Sequence, residues 1–195
     1  MNMSKRFNFA ATAIGSLPFT DLEEACRLIF HYVPEAPHWP QLPKVGPREG
    51  MIDQFRDGMP GVVEEGDKVY LRPLEPYQEW ELFYQAYEGG DLDAFAISKE
   101  RARGLYAFLA EVGRREPPPF VKGQVTGPIT LGISLKDEEG VASFFNPNLR
   151  DMFVKLVAMK ARWQEAARDP LFLRDVEQVE ADFGAADAET ASGIV

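Results

Sequence analysis

The feature that most restricts this chain is a hydrophobic period that switches repeatedly along it. Short extended apolar runs give way to stretches with helical spacing, in the order strand, helix, strand, hairpin with helical insert, strand, helix. Strands repeat every two residues and helices every 3.6. Their alternation predicts an α/β fold with parallel strands and right-handed crossovers. Three such strands are expected, at 7–14, 37–43 and 120–125. A closed barrel of this type needs eight strands and about 250 residues, more than the 195 present.

In the first strand Phe7, Phe9, Ala11 and Ala13 share one side, and Gly15-Ser16-Leu17-Pro18 breaks it. Thr20 or Asp21 caps the next helix, with Glu23 and Glu24 in its first turn, where the helix dipole favours them. Leu22, Ala25, Cys26, Ile29 and Val33 form its apolar stripe, and Pro34 ends it. Proline-bounded 37–43 reads as the second strand. After a loop at 44–49, Met51, Ile52 and Phe55 make a short amphipathic turn. Val62-Val63 and the 68–72 run form a β-hairpin, with Gly66 supplying a positive φ.

From Leu74 to Arg115 the spacing is helical. Tyr77, Trp80, Phe83, Tyr84 and Tyr87 recur at three and four residues, and Gly89-Gly90 stops that helix. This aromatic stripe reads as core before it reads as a ligand wall. A second helix is expected from Ser98 to Arg114, with Ala102, Leu105, Tyr106, Leu109 and Val112 inward. The Pro117–Pro119 run leads into the third strand. That strand ends at Thr126-Gly127-Pro128, a turn that bares peptide groups and the hydroxyls of Thr126 and Thr130. A helix over 149–167 turns Met152, Leu156, Met159 and Trp163 inward. Residues 1–170 are read as one incomplete barrel-like domain. Residues 171–195 are read as an acidic helix, with Phe172, Val176, Val179 and Phe183 on one face, and a frayed tail.

Composition narrows the partners. A formal charge of −10 argues against nucleic acid or an anionic membrane. No run approaches the roughly 18 apolar residues of a membrane helix, and the basic start at 1–9 has no secretory apolar region behind it. Cys26 is the single cysteine, so an intrachain disulfide is excluded and a cytoplasmic location is expected. It reads as a buried core thiol. His31 and His38 have no metal-ligand spacing with it. Nucleophile-elbow, phosphate-loop and dinucleotide patterns are missing. The acidic groups Asp91-Leu92-Asp93 and Asp137-Glu138-Glu139 read as solvated loops.

Four stretches in order carry a resemblance. They are Thr12-Ala-Ile-Gly-Ser-Leu-Pro-Phe-Thr20, Trp39-Pro-Gln-Leu-Pro43, Pro47-Arg-Glu-Gly-Met-Ile-Asp-Gln-Phe55 and Lys122-Gly-Gln-Val-Thr-Gly-Pro-Ile-Thr130. Together with Lys160-Ala-Arg-Trp163, this set resembles the catalytic barrel of the cobalamin-independent methionine synthases. It is also similar to their shorter relatives in the uroporphyrinogen decarboxylase superfamily. The resemblance implies the first three units of a (β/α)8 barrel, with a β-hairpin and a helical hairpin inserted. It implies a site for a small carboxylate-containing ligand made from Gly15, Ser16, Gln41, Arg48, Gln124, Thr126, Gly127 and Thr130. Ser16 and the amides beside it suit a carboxylate, although a plain turn residue fits Ser16 equally. Arg48 suits bidentate pairing with a carboxylate.

The departures from the family bear on its reaction. Where the methionine synthases carry a substrate-binding glutamate, Val45 stands here. The family's zinc ligands lie in the later half of the barrel, and its Asp-Glu-Pro motif has no match; Asp182-Phe183-Gly184 is no substitute. Zinc and a methyl-folate donor are therefore expected only for a complete member, with no catalytic or metal residue in this chain. Three readings stay open. The first is an enzyme barrel completed by a complementary half-barrel chain. The second is a non-catalytic binding or assembly module, and the third an inactive truncated relative. Uncovered sheet edges and helix faces would favour a homo-oligomer or such a partner chain.

Overall fold

The computed structural model describes residues 9–66, 68–73 and 76–167. These form six α-helices and one two-stranded sheet, a mixed α/β arrangement as the periodicity predicts. Phe7 and the expected elements of 171–195 lie outside the described residues.

Helix α1 (Leu22–Tyr32) begins at Asp21, whose Oδ1 accepts from the Glu24 amide at 3.0 Å. Its buried face is Ala25, Cys26 and Ile29. Burial pushes the Cys26 thiol up to about 12, so it stays protonated as a core group. Two short helical pieces follow, a 3-10 turn at Pro47–Glu49 and α2 (Met51–Phe55).

Single bridges hold the second and third expected strands and, in place of the first at 7–14, the Gly15–Leu17 segment just beyond it. Stretch 37–41 lies between the other two and runs parallel to both, through Ser16 with Gln41 and His38 with Lys122. The Gln41 amide donates to Gly15 O at 2.7 Å and the Leu17 amide to Gln41 O at 2.9 Å. On the far side the Lys122 amide donates to Pro37 O at 2.9 Å. Among the described residues these stretches form no regular strand, which corrects the expectation. Pro37, Pro40 and Pro43 have no amide to donate. Positive φ at Phe9 (62°) breaks the first run, and Ala11 and Ala13, read as one apolar side, are exposed, as is Ile14.

The regular sheet is the hairpin of β1 (Val62–Glu65) and β2 (Lys68–Leu71), antiparallel with Val62 opposite Leu71. Gly66 has φ 59° at its turn. Charged pairs tie this hairpin down. Arg56, after α2, places Nη1 2.6 Å from Glu64 Oε1 and Nη2 2.6 Å from Asp53 Oδ1. Arg101 reaches Glu64 at 2.9 Å and Asp57 at 3.1 Å. These guanidinium groups, Arg101 above Arg56, hold the Glu64 carboxyl down at about 2.

Helix α3 (Tyr77–Gly89) stops at Gly90, which takes the left-handed conformation at φ 69°. Trp80 and Phe83 are buried, and Tyr84 and Tyr87 pack partly against the core, while Tyr77 is exposed. The stripe is thus mainly core. Helix α4 (Arg103–Arg114) starts five residues later than its spacing suggests. Residues 98–102 form a turn instead, with Ser98 O accepting from the Arg101 and Ala102 amides and the Ser98 amide donating to Asp57 Oδ2 at 2.8 Å.

Beyond the Thr126-Gly127 turn the chain forms α5 (Pro128–Ser134), entered through Pro128. A further 3-10 turn leads to α6 (Pro147–Ala167). Met152, Leu156, Met159 and Trp163 are buried, as their spacing predicts. Lys160 is buried among them, its Nζ donating to Ala96 O at 3.1 Å and Phe95 O at 3.4 Å. Desolvation lowers its ammonium to about 8. One core runs through these helices, with Trp39, Phe55, Phe95, Phe108, Phe153 and Trp163 fully buried. Phe30 of α1 stacks on Phe108 of α4 at 5.3 Å, which joins the two helices beside the extended stretches.

Candidate functional site

Gly15 is buried where the first extended stretch meets the second. Its amide donates to Gln124 Oε1 at 3.1 Å, and a methyl group built on it would overlap that side-chain amide. The backbone of Gln124 is itself held on both sides. Gln164 of α6 donates to Gln124 O at 2.9 Å and accepts from its amide at 3.3 Å, and the same Gln164 Oε1 takes Trp39 Nε1 at 3.0 Å. One glutamine side chain thus does for residue 124 what a neighbouring strand would do. Gln124 Nε2 is buried and has no hydrogen-bond partner among the described residues.

A second chain of hydrogen bonds leads away from Gln41. Its Nε2 donates to Gln54 Oε1 at 2.6 Å, and Gln54 Nε2 donates to Glu49 Oε2 at 3.4 Å. Glu49 Oε1 accepts from the Arg103 amide at 3.0 Å, at the start of α4. The Glu49 side chain is buried, which pushes its carboxyl above the ordinary value, while Arg103 and Gln54 pull the other way.

The eight residues expected to bind ligand divide into groups. Gly15, Gln41 and Gln124 are brought together with Ser16, which is exposed and whose hydroxyl makes no hydrogen bond among the described residues. Thr126 is buried and donates to Met51 O at 3.2 Å, so its hydroxyl ties the turn to α2. Gly127 is the residue before α5, and Thr130 is exposed on that helix. Arg48 is exposed and lines a different hollow, with Glu49 and Arg103.

A cavity of about 390 Å³ lies beside the third stretch, lined by Trp39, Phe108, Leu109, Lys122, Gln124 and Gln164 among others. Gln124 is the expected residue that lines it. Sequence reasoning missed Gln164, Glu49, Gln54 and Arg103. The signal for Gln164 was its place on the Lys160, Trp163, Ala167 face of α6; Glu49 stood unremarked beside Arg48.

The resemblance implies zinc only for a complete member of the family, with its ligands in the later half of the barrel. Among the described residues no group of three or more His, Cys, Asp or Glu side chains is placed to hold a metal ion. Cys26 is in the core, His31 is exposed, and His38 is buried with Nδ1 3.2 Å from Trp39 O. Burial lowers the His38 imidazole below its ordinary value. Among the described residues no helix is long and apolar enough to cross a membrane. Comparison of the chain with protein-family models, with curated proteins and with solved structures returns no match.

Proposed function

We propose that this chain is a methionine synthase-like barrel segment that binds a small carboxylate-containing ligand at the Gly15-Ser16 turn. The observation that supports it best is the bridge pattern, with three extended stretches parallel and adjacent in chain order. That is the order expected of the first three strands of a (β/α)8 barrel, whose ligands gather at strand ends. Ser16 offers an exposed hydroxyl there, and Gln124 holds the Gly15 backbone from below. A carboxylate at such a turn would gain charge-assisted hydrogen bonds. We assign no reaction step to these residues. A cytoplasmic location and a charge unsuited to nucleic acid belong to the same reading.

An assembly role is the second reading. Ile14, Val125, Ile129 and Ile133 are large apolar side chains exposed around the same turns. We propose that they are covered by a second copy or by a complementary half-barrel chain.

Calorimetric titration with homocysteine, methionine and acetate tests the ligand reading. Saturable binding of the amino acids is expected, weakened about tenfold, or about 1.4 kcal/mol, in Ser16→Ala. Wild-type protein that does not saturate, or a Ser16→Ala variant that binds equally well, would refute it.

A further inference from the structure

The hollow that holds Arg48 is separate from the Gly15-Ser16 turn and has a chemistry of its own. It measures about 680 Å³ and lies between the 45–49 loop and the turn before α4. Arg48, Lys99 and Arg103 line it, opposed by Glu49 and Glu100. The chain as a whole carries a formal charge of −10, so three cations around one concavity run against the general character of the molecule.

The two carboxylates differ: Glu100 is exposed, whereas Glu49 is buried. Glu49 is 1% exposed and turned inward, with Oε1 on the Arg103 amide and Oε2 facing Gln54. It already occupies the first amide of α4, and the Arg48 and Arg103 guanidinium groups line the hollow beside it. Arg103 rests its Nε 3.6 Å from Glu49 Oε1 while its side chain stays 54% exposed. Its two terminal nitrogens make no hydrogen bond among the described residues. Arg48 is exposed and has no ion pair or hydrogen bond among them. Lys99 stands over the Tyr106 ring, its Nζ 5.5 Å from the centroid. A single exposed arginine is ordinarily solvated surface. Here two share one concavity, and a buried carboxylate steadies one of them, which lowers the entropy lost on binding.

We infer that this hollow binds a small organic oxyanion, a phosphate ester or a dicarboxylate, gripped by Arg48 and Arg103. Planar guanidinium groups match two oxygens of either anion at once. The site stands whether or not the Gly15-Ser16 turn binds a ligand.

Calorimetric titration with inorganic phosphate and with succinate, at low salt so that screening is weak, tests it on wild type, Arg48→Ala, Arg103→Lys and Ser16→Ala. Saturable binding is expected with a Kd on the order of 1 mM. It should weaken about tenfold in Arg48→Ala and in Arg103→Lys, which keeps the charge but loses the fork, and clearly less in Ser16→Ala, which touches only carboxylate held at the other turn. Tighter binding of phosphate assigns a phosphate ester, and tighter binding of succinate a dicarboxylate. Failure of both anions to saturate, or undiminished binding in Arg48→Ala, overturns the site. Equal loss in Ser16→Ala would move the anion to the other turn and also overturns it. Should Arg103→Lys fail to fold, Arg48→Ala decides, because Arg48 is exposed and its loss leaves the fold intact.

Discussion

Gly15 shows how much can depend on one missing methyl group. Its amide is satisfied by Gln124, and an added Cβ would displace the same side chain. Gly15→Ala should therefore cost about 1–2 kcal/mol, the range for a lost buried hydrogen bond. Urea unfolding measures it, and Gln124→Ala should make the two changes non-additive. If the double variant is as destabilised as the sum of the singles, Gln124 is not the partner. At this scale the sequence was half legible. Gly15 and Ser16 could be read as a strand-to-helix turn from their neighbours. The partner of Gly15 lies 109 residues away, and its own support, Gln164, a further 40. Local spacing carries no trace of such pairs.

Elements are joined here by a few polar pins and one close approach. Gly104, near the start of α4, faces the Pro40 carbonyl, and a methyl group there would overlap backbone that cannot swing aside. Gly104→Ala should cost about 3 kcal/mol, the upper range for overpacking, and a melting curve would detect it. The hairpin is pinned by Glu64 between Arg56 and Arg101. Its folded pKa, about 2, lies below the ordinary 4.5. The stabilisation is therefore present above pH 4.5 and is lost as pH falls from 4.5 through about 2. Glu64→Gln should flatten that acid limb when unfolding is followed from pH 6 to pH 2, and an unchanged limb would remove Glu64 from the account. Helices α1, α3 and α6 were legible because each has a stripe and a boundary signal: Asp21 and Pro34, Gly90, and Asn146-Pro147. The start of α4 was not, because Arg101 and Ser98 are committed to Asp57 and Glu64 on other elements.

For the whole molecule, one core spans α1, α3, α4 and α6, yet Ile14, Val125, Ile129 and Ile133 stay exposed around the extended stretches. Burying such side chains would each contribute about 1.5–3 kcal/mol. Light scattering across a concentration series should accordingly show mass increasing with concentration, and Ile129→Ser with Ile133→Ser should reduce it. A constant monomer mass that the variant leaves unaltered would rule out self-association through this face.

By itself the sequence left α5 and the start of α4 unmarked, but it determined helices α1, α3 and α6, where the hairpin turns, which face of those helices is apolar, and that Cys26 is a core thiol. These follow from period, caps and glycine, all local properties. Only the tertiary structure decided that the extended stretches pair through single bridges, that Thr126 is spent on Met51, and that Arg48 lines one hollow with Arg103 and Glu49. The reason is that hydrogen bonds and ion pairs between distant residues depend on which backbones come within about 3 Å of each other. Packing of the whole chain sets that distance, and prolines in the 37–43 stretch limit how many such bonds can form.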